Sequence, residues 1–269
     1  MIGKRFARRL APWLVAVAAV AVNAAETFDP AHTPALFRAM ETAFPVRTVR
    51  AGERTSVLAH REAPRPFRYH YEGETRTLAD YVARRRATGL LVARAGEVLA
   101  EHHGLGAAHG DRFTSWSMAK SVTSTLIGIA LAEGAVASLD DPVTAYVPEL
   151  EGSAWGGTTI RQVLRMSSGV AFDETYGAEG ADVTHFFEDG VRGGRVNAVL
   201  LDFDDRAAEP GTQYNYSTAD TQVLGWVLAR ATGEDPAAYL ADRLWGPIGA
   251  ATDALWITDA PEGTVAAGM

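Results

Sequence analysis

The chain has 269 residues, of which 47% are hydrophobic and 22% charged, a balance that excludes a disordered or fibrous protein. This length suits one large domain or two intertwined small ones. The formal net charge is −8, and it becomes −12 without the first 24 residues, which hold four cations and no acid. Because phosphate backbones bind basic surfaces, we expect no nucleic-acid partner.

The amino-terminal segment has the pattern of an export signal. A basic stretch, Lys4–Arg9, precedes an apolar run, Leu10–Val22, which is too short to span a bilayer comfortably. Small residues then end at Ala24, which suits cleavage after that residue; an uncleaved anchor is the alternative. We predict a signal peptide at 1–24 and one exported domain, periplasmic or secreted, at 25–269, with no stable membrane insertion after signal removal. The chain has no cysteine, so disulfides and a lipoprotein anchor are excluded.

The first half of the domain predicts few regular elements. The proline-rich segment to about Arg76 is irregular apart from one helix at Pro34–Phe44, and a second helix is predicted at Leu78–Arg86, with Gly89 as its C-cap. Two apolar runs on either side of Gly96, which extend over Gly89–Ala95 and Glu97–His103, predict a hairpin. Since two strands alone make a marginal sheet, we expect further strands in the amino-terminal segment or in chain outside these residues.

Helices dominate the second half. Met118–Glu133 lacks proline and is apolar nearly all round, which predicts a buried helix rather than a surface one. Ser117 stands at its N-cap position, and Gly134 stands where the helix should end. Three further helices are predicted at Thr159–Met166, Asp220–Ala231 and Pro236–Leu244.

Ser117 and Lys120 form an S-x-x-K arrangement at the start of the buried helix. Three residues apart, their side chains lie on one helix face. A serine hydroxyl needs a base to take its proton, and a lysine serves only if its pKa falls, as burial and the positive end of a helix both favour. Lys4 and Lys120 are the only lysines, and the other 23 cations are arginines, which cannot lose a proton. This usage favours a catalytic pair over a snorkelling lysine beside a helix-end serine.

A second motif, Pro210–Thr218, combines a turn with two closely spaced tyrosines just before a helix. A tyrosine near a lysine ammonium can hold a lowered pKa and relay a proton to a leaving group. Alone, the pattern is more typical of packing residues. Paired with Ser117 and Lys120, it predicts the third corner of a hydrolytic site.

These motifs resemble the serine beta-lactamase-related family, which joins class C beta-lactamases, D-alanyl-D-alanine carboxypeptidases, family VIII esterases and 6-aminohexanoate-dimer hydrolases. With their connecting segments they cover roughly residues 85 to 260. The segment STADTQVLGW is most similar to the aminohexanoate-dimer hydrolases and esterases of the family. The matching stretches are FTSWSMAKSVTSTLIGIALAEGAVASLDDPVTAYVPEL, TIRQVLRMSSGV and EPGTQYNYSTADTQVLGWVLARATG.

The resemblance implies a fold and a set of roles. The fold is α/β (α+β), the penicillin-recognising architecture, in which an antiparallel sheet with flanking helices packs against a helical region. Ser117 is then the acylated nucleophile, Lys120 the base, and Tyr216 the tyrosine of the Y-x-N motif that returns a proton to the leaving group. Tyr176, in the DETYG loop, is expected to contact substrate. Thr218 stands where the motif has a substrate-binding asparagine, which favours simple esters or linear amides over beta-lactams.

The same resemblance leaves alternatives open. A beta-lactamase or D-Ala-D-Ala carboxypeptidase would share the chemistry, whereas a truncated binding protein would have none. Relatives carry a third motif, K-T-G or H-x-G, on a downstream strand that supplies one oxyanion-hole N–H, and no such motif follows here, so the resemblance implies an amino-terminal portion of the family. Loss of one such donor costs about 100- to 1000-fold in rate. No organic cofactor is implied.

Other candidate sites are weaker. His102-His103, with His109 nearby, has no H-E-x-x-H pattern or carboxylate at ligand spacing, so exposed histidines at a hairpin end are expected instead of a metal site. Asp140-Asp141 is typical of a helix-starting turn, and Asp202–Asp205 lacks the spacing of a calcium loop. The glycines near residue 106 lack a G-K-[ST] ending, and no G-x-S-x-G elbow is present, which argues against an α/β-hydrolase.

Overall fold

The computed structural model describes residues 31–61 and 66–268, so the predicted signal peptide lies outside the described residues. Within them, short strands form three small sheets that pair distant and neighbouring parts of the chain. The pairs are β1 (Val46–Val49) with β7 (Ala254–Ile257), antiparallel; β5 (Gly89–Arg94) with β6 (Glu97–His103), antiparallel, and β2 (Ala59–His60) parallel to β6; and β3 (Arg68–Tyr71) with β4 (Glu74–Thr77), antiparallel.

The predicted hairpin is confirmed in β5 and β6. The strands close at Arg94 and Glu97, and both loop residues have positive φ, +51° at Ala95 and +80° at Gly96. A two-residue loop with positive φ at both positions matches the right-handed twist of the strands. The expectation of further strands in the amino-terminal segment is also confirmed, since β1 to β4 all precede Leu78.

Two predictions in the first half need correction. The helix over Leu78–Arg84 begins with a capping box between Thr77 and Asp80, but Gly89 does not cap it. The chain reverses at Arg86, which has φ of +51°, and Gly89 already belongs to β5. The predicted helix at 34–44 divides into a short α-helix and a 3₁₀ turn, Thr33–Leu36 and Met40–Thr42.

The helix that carries Lys120 is Ala119–Ala132, with Gly134 just beyond its end at φ of +81°. Ser117 is not its N-cap, because it lies in a preceding 3₁₀ turn, Trp116–Met118, and Met118 occupies the cap position. The prediction of burial all round is wrong as well. One face is buried and the other is exposed, because small polar or side-chain-free residues occupy the exposed face: Ser121, Ser124, Thr125 and Gly128.

The helix that is buried nearly all round is Thr218–Thr232, whose residues as far as Leu228 are all buried. The Ser217 hydroxyl caps its first turn, and Gly233 ends it in the left-handed conformation, with φ of +69°, as glycine permits. This helix packs against Ala119–Ala132. The packing brings the chain just before Thr218 to the amino-terminal end of the Lys120 helix.

The remaining elements are short and helical. The predicted helix at 159–166 is confirmed as Ile160–Leu164, with a capping box between Thr159 and Gln162. Together with the strands, they make the mixed α/β fold that the sequence predicted. No helix in the described ranges is both long and apolar enough to span a membrane. The others are Asp182–His185, Pro236–Leu240, the 3₁₀ turns Val143–Ala145, Pro148–Gly152 and Ala198–Asp202, and the π-helical turns Phe186–Arg192 and Ala241–Trp245.

Candidate active site

Ser117 is presented to solvent by a strained turn. The preceding residue, Trp116, has φ of +43°, which is unusual for a bulky residue. Its ring stands edge-on to Phe37 with 5.3 Å between centroids, and the Thr114 N–H donates to the Phe37 carbonyl at 2.8 Å. These contacts hold the turn, and the Ser117 side chain remains accessible.

Lys120 lies directly beneath this serine. Lys120 is only 8% exposed. Its Nζ donates to Ser117 Oγ at 3.1 Å and to the Gly268 carbonyl at 3.0 Å. Burial lowers the Lys120 pKa from 10.5 to about 8, against the opposing charge of Glu174. A lysine with this pKa is partly neutral near pH 8, and its lone pair can then accept the serine proton.

The carbonyl that orients Lys120 belongs to a segment pinned by two buried side chains. Thr123 Oγ1 donates to the Ala267 carbonyl at 2.6 Å. Gln222 Oε1 accepts from the Ala267 N–H at 2.8 Å, and its Nε2 donates to the Val265 carbonyl at 3.1 Å. Both helices therefore fix the chain at Gly268, where a Cβ atom would lie 3.2 Å from Lys120 Nζ. The lysine is held in place by backbone rather than by a carboxylate.

Tyr216 lies on the other side of the lysine. Its ring centroid is 5.3 Å from Lys120 Nζ, within the range of a cation–π contact. Ser217 follows and caps the Thr218–Thr232 helix, so the tyrosine is fixed at the entrance to a buried element. The structure thus brings together the three residues that the sequence assigned to catalysis: Ser117, Lys120 and Tyr216.

The two predicted substrate-binding residues meet at a carboxylate that the sequence analysis did not single out. Glu174 accepts from the Tyr176 hydroxyl at 2.8 Å and from the Thr218 N–H at 2.8 Å, and the Thr218 hydroxyl also donates to it. Thr218 is 3% exposed, so its hydroxyl is already engaged, whereas Tyr176 is 62% exposed and available to a ligand. Partial desolvation and the hydrogen bond to Glu174 raise the pKa of the Tyr176 phenol above its ordinary value.

One signal could have found Glu174. It stands two residues before Tyr176, in the loop that was already expected at the site, and an acid near a catalytic lysine shifts its pKa. Nothing local pointed to Gln222 or Gly268. The hydrogen bond between Lys120 and Gly268 joins residues 148 positions apart, which no short motif records.

The acidic pairs and the histidines, which the sequence analysis rejected as metal sites, differ in their surroundings. Asp141 accepts from the Ser138 N–H and the Tyr146 hydroxyl in a turn, as predicted, and Arg195 pairs with Asp202. The statement that the histidines lack a carboxylate partner is wrong. Glu101 Oε1 lies 2.9 Å from His103 Nε2, because residues two apart on a strand share a face.

The chain is similar to known proteins over most of its length. A family model described as beta-lactamase matches residues 75–269. The chain is 34% identical over 174 residues to the 6-aminohexanoate-dimer hydrolase of Paenarthrobacter ureafaciens, an alignment that covers 63% of this chain and 44% of that protein. The chain thus spans less than half the length of this curated relative.

The fold is similar to that of a solved Bacillus anthracis protein, provisionally described as a 6-aminohexanoate-dimer hydrolase. The TM-score is 0.81 at 19% identity, over 92% of this chain and 67% of that one. With the family match, this likeness confirms the predicted penicillin-recognising fold. The chain belongs to the beta-lactamase family.

Proposed function

We propose that this chain carries the acylating centre of a serine hydrolase that cleaves ester or amide bonds in small molecules through an acyl-enzyme on Ser117. One observation carries the proposal: an exposed serine hydroxyl is hydrogen-bonded, at 3.1 Å, to the buried Lys120 amine. Burial lowers the pKa of that amine to about 8. A nucleophile within reach of a base whose pKa suits neutral chemistry is the arrangement that covalent catalysis requires.

The steps follow from this arrangement. Neutral Lys120 takes the Ser117 proton as Oγ bonds to the substrate carbonyl carbon, and a tetrahedral intermediate forms. When the intermediate collapses, the bond to the leaving alcohol or amine breaks, and Tyr216 passes it a proton that the Lys120 ammonium replaces. Water then attacks the acyl-enzyme, Lys120 accepts its proton, and the acid is released as Ser117 regains its hydrogen.

Two features favour linear esters or amides over beta-lactams. Thr218 replaces the amide side chain of the Y-x-N motif, and its hydroxyl already donates to Glu174. The curated relative is named for hydrolysis of 6-aminohexanoate dimer. A beta-lactamase or carboxypeptidase remains the rival within the chemistry, and faster turnover of nitrocefin than of short-chain esters would favour it. The export signal predicted at 1–24 supports a periplasmic or secreted location.

Covalent labelling tests the proposal directly. We expect a fluorophosphonate probe to add one adduct to the purified protein and none to the Ser117→Ala variant, because only the activated serine attacks phosphorus. Intact-mass analysis detects the adduct. Ser121→Ala is the matched control, since Ser121 is an exposed serine in the first turn of the helix that follows Ser117, and it should label like the wild type. An unlabelled wild-type chain contradicts the proposal and favours a binding protein, whereas a labelled Ser117→Ala variant contradicts the assignment of Ser117 as the nucleophile.

The labelling rate should also depend on pH. Because Lys120 acts as a base only when neutral, we expect the rate to rise with pH and to reach half its plateau at about pH 8, the pKa of Lys120. The Glu174 carboxylate raises that pKa, so Glu174→Gln should move the midpoint to lower pH while its amide oxygen still accepts hydrogen bonds. Probe kinetics from pH 6 to 10 measure both midpoints, and an unmoved midpoint in the variant would show that another group titrates.

A further inference from the structure

A cluster of imidazole and carboxylate groups lies at the end of β6. Glu101 and His103 are two residues apart on this strand, so their side chains share one face. The chain then turns at Leu105 and Gly106, which have positive φ of +53° and +79°, and His109 returns to lie beside Glu101. The three side chains each offer one ligand atom, and these atoms all lie within 4.8 Å of one another.

The distances fit a tetrahedral metal ion. Glu101 Oε1 is 2.9 Å from His103 Nε2 and 3.5 Å from His109 Nδ1. Zinc binds nitrogen and oxygen at about 2.0–2.2 Å, so two ligands on a tetrahedral zinc are about 3.3 Å apart. The two separations from Glu101 lie on either side of this value, and the ligand atoms of His103 and His109 lie within 4.8 Å of each other. A small movement of exposed side chains therefore completes the coordination.

A fourth ligand is within reach on the neighbouring strand. His60, the last residue of β2, has Nδ1 3.8 Å from Glu101 Oε2. The side chains of His60 and His109 are 59% and 87% exposed, so an ion can approach from solvent. We propose that Glu101, His103 and His109, with His60 as a fourth ligand, bind one Zn²⁺ ion per chain.

The donor set selects the metal. Imidazole nitrogens with one carboxylate suit zinc and its transition-metal neighbours, whereas Ca²⁺ and Mg²⁺ require oxygen ligands. The metal would join β2, β6 and the loop that follows β6. That loop leads to the turn at Ser117, but none of the four ligands belongs to the candidate active site. We therefore assign the ion a structural role, separate from acylation.

The rival explanation is a set of hydrogen bonds without metal, in which protonated histidines pair with Glu101. Zinc titration of tag-free, chelator-treated protein by calorimetry separates the two, because only the metal site gives saturable binding of one Zn²⁺ per chain. We expect His109→Gln to weaken Zn²⁺ binding by more than about 100-fold, the upper end of the loss from a residue outside the ligand set. His109 is highly exposed, so this variant should fold normally.

His102→Gln is the matched control. His102 alternates to the opposite face of β6, so this variant should bind Zn²⁺ as the wild type does. Zinc should also raise the unfolding temperature of the wild type and of His102→Gln, but not that of His109→Gln. No saturable zinc binding by the wild type overturns the proposal, as does unchanged affinity in His109→Gln. A loss of affinity in His102→Gln equal to that in His109→Gln overturns the ligand assignment.

Discussion

Replacing Lys120 with methionine will reduce the rate of Ser117 acylation by about 100- to 10,000-fold, the usual contribution of a positioned general base. Methionine fills similar space but has no lone pair of comparable basicity to accept the serine proton. Lys120→Arg should lose as much, because a guanidinium stays protonated in proteins. Pre-steady-state labelling with a fluorophosphonate measures the effect. Either variant reacting at the wild-type rate would contradict the role of Lys120.

The same substitution should not destabilise the chain at neutral pH. Burial lowers the Lys120 pKa from 10.5 to about 8, so the unfolded chain binds more protons than the native one between these pH values. Wild-type stability therefore rises with pH across this window, and the penalty for burying the charge is full below about pH 8. We expect Lys120→Met to unfold at the same or a higher temperature than wild type at pH 7. Loss of activity with retained stability separates a catalytic role from a structural one.

Local patterns were readable from the sequence because their partners are close in the chain. Ser117 and Lys120 are three residues apart, and one helical turn brings them together. The hairpin was readable because Gly96 tolerates positive φ. The helix at Ile160–Leu164 was readable from the amphipathic pattern of Thr159–Met166. In each case the physical cause lies within a few residues of its effect.

Contacts between distant residues were not readable. The β1–β7 pair joins Val46 to Ile257, and the lysine's backbone acceptor is Gly268. These depend on how the two central helices pack, which no motif specifies. The sequence also misjudged which helix is buried, since serine and threonine can cover either a surface or a tight interface. Burial is decided by neighbours, and composition alone does not identify them.

The resemblance to a family predicted more residues of the site than the chemistry of the individual residues did. It placed Tyr216, Tyr176 and Thr218 at one locus, and all three lie near Lys120 or at the carboxylate of Glu174. It did not indicate that Thr218 donates to that carboxylate, because the motif has an asparagine there. A departure from a family pattern changes a local hydrogen-bond network, and the new partners follow only from the fold.

Trp155 anchors the beginning of the helix that follows Tyr216. It is fully buried, its Nε1 donates to Asp220 Oδ1 at 2.8 Å, and its ring stands edge-on to Phe203. Asp220 lies in the first turn of the helix that follows Tyr216. The second oxygen of Asp220, Oδ2, has no hydrogen-bond partner among the described residues. Ser168 is nevertheless close enough to lower the Asp220 pKa.

Trp155→Ala should therefore lower the free energy of unfolding by about 3–5 kcal/mol, the range for removing a large buried aromatic side chain. Trp155→Phe is the matched variant, because it keeps an aromatic ring in the core while it removes the N–H donor and part of the ring volume. We expect it to cost about 1–3 kcal/mol, since it leaves a second buried oxygen of Asp220 unpaired. Urea unfolding measures both variants, and equal stability of Trp155→Phe and wild type would contradict the importance of this hydrogen bond.

The pH dependence of unfolding gives an independent test of the same contact. Burial raises the Asp220 pKa to about 7, and the Trp155 hydrogen bond opposes that shift. The native chain therefore binds more protons at this carboxyl than the unfolded chain does, so its contribution to stability is present below about pH 4 and is lost as pH rises to about 7. Without the indole donor the native pKa rises further, so Trp155→Phe should continue to lose stability above pH 7, where the wild-type contribution has levelled. The free energy of unfolding of the two proteins could instead change in parallel from pH 4 to 9. That result would mean that the Trp155 hydrogen bond does not affect the titration of Asp220. The helix after Tyr216 would then be anchored by ring packing alone.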